Sequence, residues 1–418
     1  MNKRGIIVGL NKDNQVDYTE SMVELENLCE ACDIQVVAHM VQNAKKINAK
    51  YYIGSGKLEE LAYLRAVQEI DIVVFNNELS ASQIKNIEDE IGCRVIDRTV
   101  LILDIFGERA KTREAKLQVE VASLEYALPR LIGANENLGR QGGGVGTKNK
   151  GAGEKKLELD RRQVEEKIAA LNKELEKLKG QRTTQRNKRR KSHLPTVALV
   201  GYTNAGKSTI MNRLVSQFNK GEEKLVFEKN MLFATLETSV RSIKLPDHRA
   251  FLLSDTVGFV SNLPHHLVKA FRSTLEEVCE ADLLIHVVDL SSTHYKKQIE
   301  VTNETLKQIG AEHVPMIYVY NKVDLIDELE MDSIEQEGIK ISAKQNRGME
   351  ALIETICEEI FAEYIKTQLF IPYKDLNLIS KINEDCMVKG QAYKEEGVVL
   401  DIECMTTYAD KYRDYTRV

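Results

Sequence analysis

Proline is scarce, with six in 418 residues, which argues against long polyproline linkers. No stretch approaches the ~18 uncharged apolar residues that a membrane-spanning helix needs. The apolar start after Arg4 is interrupted at Asn11 and Lys12. That is too short for the core of a secretory signal and reads as a first β-strand. The seven cysteines are scattered and odd in number. This is the usage of reduced thiols in the cytoplasm, not of a disulfide framework. Cys29 and Cys32 have no second pair nearby and fit core packing better than a zinc site.

What is present is ordinary for a globular chain. Hydrophobic residues make up 43% and charged residues 29%, which excludes a disordered or fibrous protein. At roughly 100–200 residues per domain, two to four domains are expected. The formal net charge of −6 hides an asymmetry. Between Gly139 and Lys191 there are 17 Lys and Arg against 7 Asp and Glu, on a chain that is otherwise acidic. Such a segment is either a solvated helix with flanks or an element that binds a polyanion.

The first ~110 residues alternate apolar runs (Gly5–Leu10, Ile34–Met40, Asp71–Phe75, Arg94–Ile96) with helical patterns (Tyr18–Cys32, Lys57–Glu69, Ser80–Ile91). This predicts a parallel α/β domain over 1–110. Ser80 and Ser82 are plausible N-caps. Thr99–Leu128 reads as helical. It is followed by a glycine-rich loop, with seven of the 24 glycines between Gly139 and Gly153. In Glu154–Lys179 the residues Val164, Ile168, Leu171, Leu175 and Leu178 carry coiled-coil spacing. A helical hairpin with a basic loop is therefore expected over 111–191, ending in Gln181–Lys191, a mobile linker with six basic residues and no acidic one. Strand–helix alternation resumes over 192–365. A small α+β domain over 366–418 is expected to close the chain, with Leu400–Cys404 as a half-buried strand.

The chemistry is concentrated in the third segment. Gly201-Tyr202-Thr203-Asn204-Ala205-Gly206-Lys207-Ser208-Thr209 satisfies the phosphate-loop pattern, follows an apolar strand and opens a helix. Backbone amides there can turn toward phosphates, Lys207 supplies a point charge, and the Ser208 hydroxyl can ligate Mg²⁺. Asp255-Thr256-Val257-Gly258 ends a strand. Asp255 can hold Mg²⁺ through water, and the Gly258 amide can meet the terminal phosphate. Phe233-Ala234-Thr235-Leu236-Glu237 lies between, with Thr235 able to complete the Mg²⁺ shell. Asn321-Lys322-Val323-Asp324 follows an apolar strand. Its Asp324 carboxylate can accept from guanine N1–H and N2–H₂, which adenine does not offer. Ser342-Ala343-Lys344 can back the base. The order and context define a site for GTP or GDP with Mg²⁺, in which Lys207, Thr235 and Gly258 carry the catalytic contacts. Phosphoryl transfer to water needs positioning and charge neutralisation more than a strong base. The residue after Gly258 is Phe259, whose phenyl ring cannot orient water by hydrogen bonding.

The strings GYTNAGKST, FATLETS, DTVGFVSNLPHHLVKAFRSTLEEV and NKVDL resemble the HflX family of ribosome-associated GTPases. So do YYIGSGKLEEL, the glycine-rich segment and GEKKLELDRR upstream. The chain departs from the family at Gly151-Ala152-Gly153-Glu154-Lys155-Lys156 and at Glu237-Thr238, where Gly-Pro-Gly-Glu and Asp-Pro are usual. The resemblance implies a P-loop GTPase domain between an N-terminal α/β domain with a helical hairpin and a small C-terminal domain. It implies a cytoplasmic partner, the large ribosomal subunit and its rRNA, with GTP hydrolysis stimulated there and stalled ribosomes split or rescued. A monomer without a membrane span is expected. Two other functions stay open at this point: an RNA-binding anti-association module that hydrolysis only resets, and a GTPase acting on a non-ribosomal RNA. Lys148, Lys150, Lys155, Lys156, Arg161 and Arg162 suit close approach to an RNA backbone. Gly54-Ser55-Gly56-Lys57 lacks the spacing of a full phosphate loop and reads as a helix start. His265-His266 reads as the start of a surface helix.

Overall fold

The computed structural model describes residues 3–12, 18–140, 150–190, 194–218, 233, 238–246, 249–261, 267, 272–327, 337–362 and 364–416. The chain divides into two compact units. The first comprises Met1–Lys179 together with Lys229–Glu237 and Ser261–Arg272; the second comprises Gly180–Glu228, Thr238–Val260 and Ser273–Val418.

In the first unit, β1 (Lys3–Asn11), β2 (Ile34–Asn43), β3 (Ile72–Phe75) and β4 (Arg94–Asp97) form a parallel sheet in the order β2-β1-β3-β4. Parallel strands covered on both faces lose the alternation of half-buried ones. Accordingly, Ile6, Ile7 and Val8 are all fully buried. The crossovers are α1 (Tyr18–Ala31), α2 (Ser55–Gln68) and α3 (Ala81–Ile91). Ser80 caps α3 in a reciprocal box with Gln83, while Ser82 lies inside the helix. Cys29 is wholly buried in α1, and desolvation pushes its thiol well above the ordinary range. The glycine turn at Gly54 opens α2 as expected; its amide donates to Gln42 Oε1 at 2.9 Å, and Lys57 pairs with Glu60 at 2.9 Å.

After β4 come α4 (Arg98–Arg109) and α5 (Arg113–Arg140), separated by a break at Ala110. Asp97, with no exposure, caps α4 through Val100 N at 3.1 Å. The same carboxylate also receives Leu79 N at 3.1 Å, Arg130 Nη2 at 3.3 Å and the Tyr126 hydroxyl. One buried carboxylate thus joins β4, α4 and α5. Next, α6 (Lys150–Arg190) runs antiparallel to α5, with Glu174 on Arg113 at 3.0 Å and Lys167 on Glu120 at 2.7 Å. Val164, Ile168, Leu171, Leu175 and Leu178 form a half-buried stripe, as their spacing predicts.

Two expectations need correction. The stretch 181–190 is helical and continues α6 to Arg190, so it is not a mobile linker. A run of Gln, Arg, Thr and Lys without Gly or Pro signals solvation, and long straight-chain residues are good helix formers. The glycine-rich loop is also shorter than expected, since α5 reaches Arg140 and α6 starts at Lys150. Lys148 and His265-His266 lie outside the described residues.

The second unit holds a six-stranded sheet in the order β10-β9-β8-β5-β7-β6. Its strands are β5 (Thr196–Gly201), β6 (Ser239–Lys244), β7 (Ala250–Asp255), β8 (Leu283–Asp289), β9 (Met316–Asn321) and β10 (Ile339–Lys340). All neighbours run parallel except β6 against β7. Helices α7 (Lys207–Phe218), α8 (Arg272–Cys279) and α9 (Tyr295–Ile309) lie between these strands, and α10 (Met349–Ile360) follows β10. Val197, Leu199, Ile210, Leu214, Leu253, Ile285 and Val319 belong to one buried core. A three-stranded antiparallel sheet follows, with β11 (Tyr364–Pro372), β13 (Gly397–Met405) and β12 (Met387–Lys394) in that order, covered by α11 (Asn377–Asp385). Leu400–Cys404 is its central strand.

Candidate functional site

The C-terminal ends of β5, β7 and β9 deliver the three predicted motifs to one rim of the six-stranded sheet. A parallel α/β sheet places ligands at this edge, at the point where strand order reverses. β5 runs into Gly201, and α7 begins at Lys207, so the intervening loop presents backbone amides at a helix N-terminus. Gly206 has φ +99°, and a Cβ there would sit 2.1 Å from Asn321 Nδ2. Only glycine supplies both the conformation and the space. Gly258 is constrained by space alone, because a Cβ would meet Thr203 Cα at 2.8 Å and Lys207 Nζ at 3.0 Å. The missing side chains let Asn321, Thr203 and Lys207 pack directly against the backbone of these loops.

Lys207 is 6% exposed and donates to Gly201 O at 3.0 Å and Tyr202 O at 2.8 Å. Desolvation pulls its ammonium down to about 8, partly opposed by the Asp255 carboxylate. Thr203 Oγ1 is buried among the described residues without a partner, a polar atom available to a ligand. Ser208 Oγ donates to Asp255 Oδ2 at 2.6 Å, which brings two hard oxygen donors together. That donor chemistry fits Mg²⁺, which takes few protein oxygens and otherwise keeps water and phosphate. Thr256 is buried and donates to Leu199 O at 2.6 Å, locking the end of β7 to β5. Val257 is buried. Phe259 bridges Tyr202 in parallel fashion; its N–H donates to Gly201 O at 3.1 Å and its carbonyl accepts from Thr203 N at 2.8 Å. Its ring is 2% exposed, so it packs into the core and is not offered to water.

The base-side motifs are joined to the phosphate loop. Asn321 Nδ2 donates to Ala205 O at 2.8 Å, while its Oδ1 accepts from Ala343 N at 3.0 Å. Lys322, at φ +68°, pairs with Asp289 Oδ2 at 2.6 Å. Val323 is buried, and Asp324 is half-buried in a short 3₁₀ turn. Ser342 Oγ accepts from Gln345 N at 3.1 Å, which shapes the loop of Ala343 and Lys344. Asn204 adopts φ +60° at the crown of the phosphate loop, and Thr209 continues α7. Phe233 is 2% exposed at φ +52° and packs edge-on against Phe106 in the first unit, with ring centroids 4.6 Å apart. Ala234, Thr235, Leu236 and Glu237 lie outside the described residues.

Two contributors have no motif. Arg213 on α7 donates through Nε to Ala343 O at 2.9 Å and through Nη2 to Lys344 O at 2.7 Å. Asp289, at the end of β8, takes Lys322 and the Ser291 hydroxyl, the latter at 2.6 Å. Asp289 alone carried a signal, as a polar residue that ends the apolar strand β8; nothing in the sequence marked Arg213.

The sheet order, the glycine-bounded loop and the Asn321 bridge define a P-loop protein of the guanine-nucleotide class. Family models match along most of the chain: GTP-binding GTPase N-terminal over 19–107, GTP-binding GTPase Middle Region over 109–189, and 50S ribosome-binding GTPase over 196–322. The GTPase HflX of Caldanaerobacter subterraneus is 42% identical over 413 residues, covering 99% of this chain and 94% of that protein. The GTPase HflX of Escherichia coli is 37% identical over 385 residues, covering 91% and 88%. A GTP-binding protein from Sulfolobus solfataricus in complex with GDP is similar over 86% of this chain and 98% of that one, at 24% identity and a TM-score of 0.44. The chain belongs to the HflX family of GTPases. It binds guanine nucleotides and hydrolyses GTP. Among the described residues no helix is long and apolar enough to cross a membrane.

Proposed function

We propose that the protein acts as a monomer in the cytoplasm on the large ribosomal subunit, contacting its rRNA, and that it splits or rescues stalled ribosomes with hydrolysis stimulated by the ribosome. The observation that carries this reading is Phe259. Its ring is buried where a water-orienting side chain would be useful, so an activating group from outside the chain has a reason to exist. The match to a 50S ribosome-binding family supports the choice of partner. Exposed Arg161 and Arg162 on the basic helix α6, which also holds Lys150, Lys155 and Lys156, support contact with a polyanion.

In this reading Lys207 neutralises the outer phosphates, and the amides of the Gly201–Gly206 loop orient them. Gly258 N–H meets the terminal phosphate, and Asp324 selects guanine with Ser342, Ala343 and Lys344 behind the base. Ser208 and Thr235, with Asp255 acting through water, would hold Mg²⁺, which would neutralise charge on the phosphates. Lys207 gives up little by releasing two carbonyls, because its desolvated ammonium gains an anionic partner in exchange.

Single-turnover hydrolysis with and without purified large subunits tests the proposal. Acceleration of up to roughly 10⁵-fold is within reach of a partner-supplied group. Thr235→Ala is expected to keep nucleotide binding and to lose most of that acceleration. Equal rates with and without subunits would sink partner activation. Subunit separation by a non-hydrolysable GTP analogue in one round would assign hydrolysis to resetting alone.

A further inference from the structure

We infer that Arg213 is a positioning residue for guanine recognition: from the helix that follows the phosphate loop it holds the loop behind the base, and so sets how tightly guanine nucleotides are kept. Arg213 Nε donates to Ala343 O at 2.9 Å, and its Nη2 donates to Lys344 O at 2.7 Å. Two neighbouring carbonyls are thus held by one planar fork, a geometry that a point charge does not match. Ala343 is held at its other end as well, where its N–H donates to Asn321 Oδ1 at 3.0 Å. The loop is closed by Ser342 and Arg347, which exchange backbone hydrogen bonds of 3.0 Å. Its turn is fixed by Gln345 N–H on Ser342 Oγ at 3.1 Å, with Asn346 at φ +59°. Those bonds shape the loop internally; the fork of Arg213 ties it to α7.

Burial does not account for the pose of Arg213, because the residue is exposed. An arginine in water gives up rotamer freedom to lie across a loop in this way. Two hydrogen bonds from a charged donor offset that cost. Their effect falls on the loop, where Lys344, Gln345, Asn346 and Arg347 are all exposed. Packing therefore does little to hold these residues, and hydrogen bonds must do it. A loop that is free before binding has to be ordered by the ligand, and that ordering is subtracted from affinity. A loop already held spares the ligand this loss. The same helix begins at Lys207, less than two turns before Arg213. In the proposed placement of the nucleotide, one rigid helix thus serves the phosphates with an ammonium and the base loop with a guanidinium. The inference rests on the reading that Ser342, Ala343 and Lys344 back the base.

The test uses the full chain and Arg213→Met, which keeps an aliphatic stem and removes the fork. GDP affinity, measured with a fluorescent analogue, is expected to fall at least about fivefold, chiefly through faster dissociation. Inorganic pyrophosphate, a base-free probe of the phosphate loop, should compete for the site with the parent's affinity. Arg213→Lys, which can serve one carbonyl but not both, should show a partial loss; it carries the test if Arg213→Met does not fold. Ile243→Ala is a core truncation on β6, at the opposite edge of the sheet from β10. It should lower the melting temperature and leave the ratio of GDP to pyrophosphate affinity unchanged. Parent-like GDP affinity in the folded variants would overturn the inference. An equal fall for pyrophosphate would also overturn it, since Arg213 would then act only as a distant positive charge. An equal loss of the ratio in Ile243→Ala would do the same. Ser342→Gly separates the two readings, because it loosens the loop itself. If it lowers the ratio while Arg213→Met does not, the role of Arg213 alone fails; if neither lowers it, the assignment of the loop to the base fails.

Discussion

The nucleotide site and the Asp97–Arg98 region are both buried polar clusters, yet they are built in opposite ways. At the nucleotide site most partners are backbone groups supplied by short motifs: Lys207 holds Gly201 O and Tyr202 O, and Asn321 holds Ala205 O and Ala343 N. Around Asp97 and Arg98 the partners are side chains and loops from distant sequence, such as Tyr126, Arg130, Glu24 and Ser261. Backbone-made sites need glycines and a strict local spacing. Side-chain-made clusters need only that the fold bring the residues together.

The sharpest way to break the contrast is at the base. Asp324→Asn should weaken GTP binding and improve xanthosine triphosphate binding, because the two hydrogen bonds to guanine are replaced by a mismatch; discrimination of this kind reaches about 10⁴-fold. Titration with fluorescent nucleotides checks it, and unchanged GTP affinity would remove Asp324 from the site. A smaller effect is expected from Tyr126→Phe, which takes one donor from the fully buried Asp97. That should lower stability by about 1–3 kcal/mol in denaturant unfolding while leaving GTP affinity intact. If nucleotide affinity fell with it, the two clusters would not be separable.

The smallest effect concerns pH and Lys207. Its folded, ligand-free pKa of about 8 lies below the ordinary 10.5. Above pH 8 the empty site has lost the proton that phosphates require, so nucleotide affinity should fall by up to about tenfold per pH unit. Between pH 8 and 10.5 the unfolded chain binds more protons at this lysine than the folded one. Its contribution to the stability of the ligand-free fold therefore rises across that window. Calorimetric titration with GDP in buffers of different ionisation enthalpy should show proton uptake on binding above pH 8, and none would count against the shift.

The same contrast explains how much was legible beforehand. The phosphate loop, Asp255–Gly258 and Asn321–Asp324 could be read because each is a short string at the end of an apolar strand. The four strands of the first sheet were visible as short, mostly apolar runs, and Leu400–Cys404 as alternation. β6, whose Ser239–Lys244 is polar and half-buried at the sheet's edge, gave no such signal. Arg213 was invisible because its targets are carbonyls of a loop that only tertiary folding brings near. The hydrogen bonds of Ser261 to Arg98 and Glu24 were hidden for the same reason, their members lying in three separate stretches of chain. The helix through Arg190 was misread because charge reports solvent exposure and says little about backbone conformation.

Asn321 has a consequence for how product leaves. One amide side chain holds a carbonyl of the phosphate loop with its nitrogen and an amide of the base-backing loop with its oxygen. In the proposed placement of the nucleotide, its two ends share a mechanical joint. Prising open the base pocket slackens the grip on the phosphates, and loosening the phosphate loop slackens the grip on the base. On that placement GDP release is expected to be a concerted event, with base and phosphates loosening together.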